Sequence, residues 1–119
     1  MSNWWPIWLT QGNAGTKKQM KPIDAMHNKV LKAWFVEYLD NTDPPKTFKA
    51  SEVAQRLTLK ELGEMGYEKW FEVMPAIMEL AVEYRAFGDA VIFQNKKLLG
   101  DDVLACEMQG DIRIGRNGG

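Results

Sequence analysis

Few residues of this chain combine the types and the spacing that catalysis needs. His27 is the one histidine and Cys106 the one cysteine, and a nucleophilic thiol requires a base within hydrogen-bond reach. No motif flanks either residue, and a zinc site requires three or four convergent nitrogen or sulfur ligands. Asp101 and Asp102 are adjacent carboxylates, for which a solvated loop is the ordinary explanation. We therefore expect neither an enzyme nor a metal or cofactor site.

The glutamates of the second half have a more informative spacing. Large apolar residues recur every three or four positions and predict a third main helix over Tyr67–Phe87. Pro75 should kink this helix or divide it into Tyr67–Val73 and Pro75–Phe87. Its inward face is predicted to hold Trp70, Met74, Ile77, Ala81 and Tyr84. The opposite stripe is then formed by Glu72, Ala76, Glu79, Glu83 and Ala86. A helix in a DNA groove needs basic residues for guanine and phosphate. This acidic stripe favours a protein partner, with Lys69 and Arg85 left at its flanks for contact with a nucleic-acid backbone.

Basic residues elsewhere in the chain supply an alternative. They occur before the first helix, around the second helix and in the predicted wing: Lys17, Lys18, Lys46, Lys49, Arg56, Lys96 and Lys97. Such residues suit a sequence-tolerant, salt-sensitive grip on a nucleic-acid backbone. Solvated surface lysines are the competing explanation, because the net charge of −1 gives no general attraction to nucleic acid.

An aromatic leader precedes the helices. Trp4, Trp5 and Trp8 lie in one short peptide, and each indole is costly to leave in water. One interpretation is that the peptide folds back over the domain, against the first helix. Another is that the tryptophans anchor a partner protein or pair across a homodimer. A third is adhesion to a membrane interface, although the nearest lysines are several residues away. Residues 1–21, which include the glycine- and lysine-rich segment Gln11–Lys21, are predicted to form a flexible N-terminal extension.

Three helices and a β-ribbon are predicted to position these residues. The first helix begins at Pro22 and ends before Pro44. It is predicted to bury Ile23, Met26, Val30, Trp34 and Tyr38, with Leu31, Phe35 and Leu39 widening this face. The second helix covers Ala50–Leu57, and Thr58 and Glu61 have the spacing of a capping box that starts a further short turn.

Gly88 is predicted to end the third helix in a left-handed conformation. The alternating segments Ala90–Gln94 and Asp111–Arg116 follow as strands, with a turn at Asn95–Lys97. This order predicts an α+β fold of the winged helix-turn-helix type over residues 22–116, followed by a tail at 117–119. At 119 residues, with 45% hydrophobic and 26% charged, the chain fits one globular domain.

No apolar run reaches the roughly 18–20 residues that span a bilayer, so we expect no membrane span. The single cysteine fits a reducing cytoplasm.

Several segments resemble a known family. They are Lys46–Leu57 (KTFKASEVAQRL), Trp70 with Met74-Pro75, Leu80-Ala81, Gly88, Gln94 and Gly110–Ile114 (GDIRI). Over residues 28–116 the chain resembles a bacterial winged-helix family catalogued as a domain of unknown function. The family has an arginine after Met-Pro where this chain has Ile77-Met78, a hairpin that differs from Gln94-Asn95-Lys96, and no counterpart of Thr58–Gly66. The resemblance implies the fold and a bacterial cytoplasmic setting, and it implies no activity.

The sequence thus predicts a non-enzymatic recognition module. The preferred function is binding of a partner protein through Glu72, Glu79 and Glu83 of the third helix and through the tryptophan leader. The alternative is DNA binding, in transcriptional regulation, through the lysines of the tail, the second helix and the wing. No cofactor is expected in either case.

Overall fold

The computed structural model describes residues 19–117. The three leader tryptophans and two of the nucleic-acid candidates, Lys17 and Lys18, lie outside the described residues. Within them the fold is α+β, as predicted. The helices are α1 (Pro22–Ala25), α2 (Lys29–Asn41), α3 (Ala50–Ala54), α4 (Leu59–Glu64) and α5 (Met74–Ala86), with 3₁₀ helices at Trp70–Val73 and Ala105–Glu107. The strands are β1 (Phe48–Lys49), β2 (Ala90–Gln94), β3 (Lys97–Leu98) and β4 (Ile112–Arg116).

The strands form one antiparallel sheet in the order β1-β4-β2-β3. The predicted pairing of Ala90–Gln94 with the C-terminal strand is confirmed, with Ile92 opposite Ile114. β1 was not predicted; it is two residues long and pairs Phe48 with Ile114. Three side chains that lie side by side across these strands are buried: Phe48, Ile114 and Ile92. They form the face of the sheet that packs against the helices.

The hairpin between β2 and β3 is tighter than predicted. Asn95 (φ 51°) and Lys96 (φ 72°) occupy the two central positions, as in a two-residue turn whose twist matches that of the strands. Lys97 therefore belongs to a strand and not to the turn. The Asn95 side chain accepts a hydrogen bond from the Asp111 amide at 3.1 Å, which ties the turn to the start of β4.

The predicted first helix is divided into two. After α1 the chain turns at His27, and the Asn28 side chain accepts hydrogen bonds from the amides of Val30 (3.0 Å) and Leu31 (3.1 Å). Asparagine is among the best residues for such a helix cap, so α2 starts again in a new direction. The predicted inward face is wrong in part: Ile23 is exposed, and Val30, Trp34 and Tyr38 are only partly buried. The buried residues of α2 are Leu31, Phe35 and Leu39, which were predicted to widen that face.

The predicted division of the third helix at Pro75 is confirmed. Residues Trp70–Val73 form the 3₁₀ helix, and α5 begins at Met74, so that Pro75 lies in the first turn, where its missing N–H costs nothing. Gly88 has φ +84° after α5, as predicted. The predicted capping box of Thr58 and Glu61 is also confirmed, at 3.1 and 2.8 Å.

The core lies between α2, α3, α5 and the inner face of the sheet. Its largest fully buried side chains include Phe35, Leu31, Leu62, Ile77, Leu80, Ile92 and Ile114. The Phe35 ring stacks on Tyr84 at 5.4 Å and meets Phe48 edge-on at 5.8 Å. This cluster fixes the rotation of α5 and therefore the side that α5 presents to solvent. In the described part of the chain, no helix is long and apolar enough to cross a membrane.

Candidate recognition surfaces

The outer line of α5 differs in part from the predicted stripe. Ala76 is fully buried, so its predicted exposure is wrong, and the accessible line runs through Pro75, Glu79, Val82 and Ala86. The spacing of three and four residues places these positions on one helical face. This line contains one acid and no base. This face offers no positive charge to a phosphate-lined groove; that α5 stays out of such a groove remains a prediction.

An apolar groove adjoins the first half of this line. We call it the methionine groove, because Met74 and Met78 of α5 and Met108 of the β3–β4 loop contribute to its walls. Its other walls come from the start of α3 and the start of β4, and its volume is about 760 Å³. Small-ligand and peptide sites commonly enclose roughly 300–1,000 Å³. Its rim carries Lys49, Glu79 and Asp111.

Arg85 holds the loop that closes this groove. The sequence placed it at the flank of the third helix, available to a nucleic-acid backbone, and that placement is wrong: Arg85 is only 7% exposed. Its Nη2 donates hydrogen bonds to the carbonyl oxygens of Asp101 (3.1 Å) and Val103 (2.7 Å). Its Nε lies 3.8 Å from the exposed Asp101 carboxylate. Burying a guanidinium is costly unless it is paired, so this residue serves the fold.

The three candidate glutamates are placed differently from one another. Glu72 accepts hydrogen bonds from the amides of Glu68 (2.7 Å) and Lys69 (2.9 Å), and these bonds lower the pKa of its carboxyl group. Glu83 lies 3.9 Å from the Lys32 ammonium. Glu79 makes no ion pair with any residue in 19–117. The structure thus separates one acid that caps a helix, one that is paired and one that faces the methionine groove.

The basic candidates do not gather at one place. Lys49 lies opposite Arg113 in the sheet, and Phe93 follows in the same row. Lys96 is at the hairpin tip and Lys97 begins β3. Lys46 is exposed just before β1.

Arg56 is engaged by the aromatic side chains of α2. Its Nε donates to the Tyr38 hydroxyl at 2.9 Å, which raises the pKa of the guanidinium above its ordinary value. Its charged carbon lies 5.7 Å from the centre of the Trp34 ring and 5.8 Å from that of Tyr38, within cation–π range. Arg56 therefore packs along α2, while Lys49 lies on the sheet.

A second apolar surface was missed by the sequence reasoning. We call it the aromatic patch: Leu59, Trp70 and Phe71, which are 78%, 38% and 52% exposed. The two rings meet edge-on at 5.8 Å, beside a cleft of about 330 Å³ that Glu68 and Lys69 also line. The predicted inward orientation of Trp70 is therefore wrong. Adjacent large aromatic residues at positions 70 and 71 were the available signal, because consecutive residues of a helix point about 100° apart and two large rings both reach the core only where the buried face is broad.

The chain is thus an α+β domain with two apolar surfaces, and no three His, Cys, Asp or Glu side chains of residues 19–117 are grouped to hold a metal ion. Residues 28–117 match the model of a family described as a protein of unknown function, DUF3253. The chain belongs to this family. Comparison with curated proteins and with solved structures gives no match.

Proposed function

We propose that the domain is a winged helix-turn-helix module. Three helices, α2, α3 and α5, precede a hairpin and a returning strand, and β1 lies between the first two of them. The sheet order β1-β4-β2 joins this early strand to the hairpin through the last strand. In this arrangement α5 takes the place of the recognition helix and the β2–β4 connection that of the wing. The resemblance and the free cysteine support a bacterial cytoplasmic setting.

We propose further that the module recognises a segment of a partner protein in the methionine groove. The observation that carries this proposal is the outer line of α5, which opens into an apolar groove and contains no base. Methionine side chains are flexible and polarizable, and they adapt to irregular apolar ligands. The other predicted protein-binding element, the tryptophan leader, lies outside the described residues.

The chemistry of the groove defines the partner segment. Apolar walls of Met74, Met78 and Met108 suit an aromatic or long aliphatic anchor, which supplies most of the binding energy in such contacts. The unpaired Glu79 carboxylate at the rim suits a lysine or arginine next to that anchor. The expected ligand is therefore a short basic-and-apolar peptide segment.

A random peptide library displayed on phage and selected on the immobilised full chain tests this function. Enriched peptides are expected to pair an apolar anchor with a basic residue. They should slow the modification of Cys106, which is exposed at the groove, by a maleimide. Glu79→Lys should weaken binding about 10-fold or more through like-charge repulsion.

Glu64→Lys is the matched control, because Glu64 is an exposed glutamate at the end of α4 and is not among the residues that line the groove. It should change the affinity by no more than about twofold. Peptides that leave Cys106 fully reactive, or that are weakened equally by both reversals, would overturn the proposal.

The second candidate function is DNA binding, and the register of the sheet favours it. Lys49, Arg113 and Phe93 form one cross-strand row. Lys96 lies at the tip of the hairpin, and Lys97 lies opposite Gln94 in the next row, whose side chains point to the other face of the sheet. Arg113 is held 3.0 Å from Asp111, which weakens its pull on phosphate.

A duplex-DNA titration by fluorescence anisotropy distinguishes the two functions. If DNA binding is the function, micromolar affinity at physiological salt should fall with Lys96→Ala/Lys97→Ala and persist with Glu79→Lys. The slope of log affinity against log salt should also shrink by about 2 when both lysines are removed. If the protein-binding proposal is right, no binding of duplex DNA is expected at physiological salt.

A further inference from the structure

We propose that the leader Trp4–Leu9 packs in cis on the aromatic patch. This inference concerns a different surface from the methionine groove and is independent of the proposed function. It pairs the tryptophan-rich leader of the sequence with a cluster of exposed apolar side chains in the described residues. It also commits to one of the alternatives that the sequence leaves open, the folded-back leader, and changes its site from the first helix to the patch.

Exposure of the aromatic patch to water is energetically unfavourable. Leu59 and Phe71 are both more than half exposed, and Trp70 is 38% exposed. Clustered exposed apolar side chains usually mark an interaction site, and aromatic pairs gain more than their buried area alone provides. The Lys69 ammonium lies 5.9 Å from the centre of the Phe71 ring, within cation–π range.

The described chain ends next to this patch. The Gln19 side chain donates a hydrogen bond to the Glu72 carboxylate at 3.0 Å, and Glu72 caps the amides of Glu68 and Lys69, which line the cleft. Met20 is fixed just after it, because its amide donates to the Met65 carbonyl at 2.9 Å and its own carbonyl accepts from the Tyr67 hydroxyl at 2.7 Å. The described chain therefore begins at the rim of the patch.

The direction of the chain selects the patch over the methionine groove. Pro22 lines the methionine groove, and three residues upstream Gln19 has reached Glu72, so the chain runs from the groove towards the patch. Residues 10–18 connect Gln19 to the leader and span at most about 30 Å. A short tether of this kind gives an effective concentration in the millimolar range, which suffices for a modest apolar contact.

A spin label beside the cleft tests this contact in the full chain. The label is attached to Glu68→Cys in a Cys106→Ser background, because the Glu68 side chain is exposed and its backbone amide bond to Glu72 is kept. In a ¹⁵N-labelled sample, the amide and indole signals of residues 4–9 should lose most of their intensity. Adding Leu59→Glu should restore them, since Leu59 follows the Thr58 cap and an acid is tolerated in the first turn of a helix.

Leu104→Glu is the matched control, because Leu104 is an exposed leucine (57%) outside the patch, and the broadening should persist. A mixture of spin-labelled chains without ¹⁵N and ¹⁵N chains without the label should show no broadening. Full leader signals beside the label, broadening that survives Leu59→Glu, or broadening in the mixed sample, which would place the leader on a second copy, would each overturn the inference.

Discussion

Arg85 shows how a single buried charge can organise a surface that it does not reach. Its guanidinium lies beneath the β3–β4 loop and donates to two of the loop's carbonyl oxygens, while its Nη1 is buried without a partner among the described residues. The loop continues into Ala105–Glu107 and Met108, which help to wall the methionine groove. The shape of this groove therefore depends on a residue that sequence spacing assigns to an exposed flank.

Replacing Arg85 with methionine should destabilise the fold by about 1.5–3 kcal/mol, because hydrogen bonds from a charged donor are lost. Urea unfolding measures this cost, and amide exchange in residues 99–104 should accelerate. Arg113→Met is the control, since the exposed Arg113–Asp111 pair should contribute no more than about 1 kcal/mol. Equal costs for the two changes would mean that Arg85 does not hold the loop.

Glu72 gives the fold a specific dependence on pH. Two backbone amides favour its ionised form and lower its pKa in the folded state. Folding therefore gains stability from this carboxylate at pH values above the ordinary glutamate pKa of about 4.3, and loses it as the pH falls through the lowered value. Glu72→Ala should reduce the free energy of unfolding at pH 7, and the difference from wild type should shrink steadily below pH 4. Glu64→Ala, a change in an exposed glutamate for which the structure gives no such bonds, should show no such trend.

The rotation of α2 about its axis decides which of its aromatic side chains is buried in the core. Phe35 is fully buried between Phe48 and Tyr84, whereas Trp34 is half-buried beneath Arg56. Phe35→Ala should cost about 3–5 kcal/mol, and Trp34→Ala distinctly less, as measured by chemical denaturation. Ile77→Ala should cost about 2–5 kcal/mol. A larger loss for Trp34 than for Phe35 would mean that the helix is turned the other way.

The hairpin contains a local strain that can be removed. Lys96 has φ 72°, a left-handed conformation that costs a side-chain-bearing residue roughly 1–2 kcal/mol relative to glycine. Lys96→Gly should therefore raise the free energy of unfolding by up to about 1 kcal/mol after the extra entropy of the unfolded chain is counted. Lys97→Gly, within β3, should lower it. A thermal melt of both variants separates a strained turn from a general effect of glycine.

Sequence patterns predicted elements better than orientations. Helix caps, prolines and glycines act on the backbone next to them. The cap at Thr58, the helix start at Pro75 and the helix end at Gly88 could therefore be predicted from the sequence. The burial of Ala76 and Arg85, and the exposure of Trp70, depend on how α5 packs against α1, the sheet and the loop. Periodicity alone does not contain these contacts. The strand β1 is too short for an alternating pattern, and only its partner β4 creates it.

The described residues before α1 are hydrogen-bonded to residues far along the sequence. The Tyr67 hydroxyl donates to the Met20 carbonyl at 2.7 Å, and burial raises the pKa of Tyr67, so the neutral donor is the favoured form in the fold. This bond and the Met20–Met65 backbone bond direct the N-terminal segment past Glu72. The two apolar surfaces therefore keep a fixed relation to the start of the described chain.

Tyr67→Phe should release this segment without unfolding the domain. The loss of one hydrogen bond is expected to lower the free energy of unfolding by about 1 kcal/mol, while exchange of the Met20 amide rises towards that of an unprotected residue. Tyr38→Phe is the matched control, because its hydroxyl meets Arg56 far along α2 and should leave the Met20 amide protected. If Met20 stays protected in Tyr67→Phe, then Gln19 and the backbone bond alone hold the segment, and Tyr67 does not position the start of the described chain.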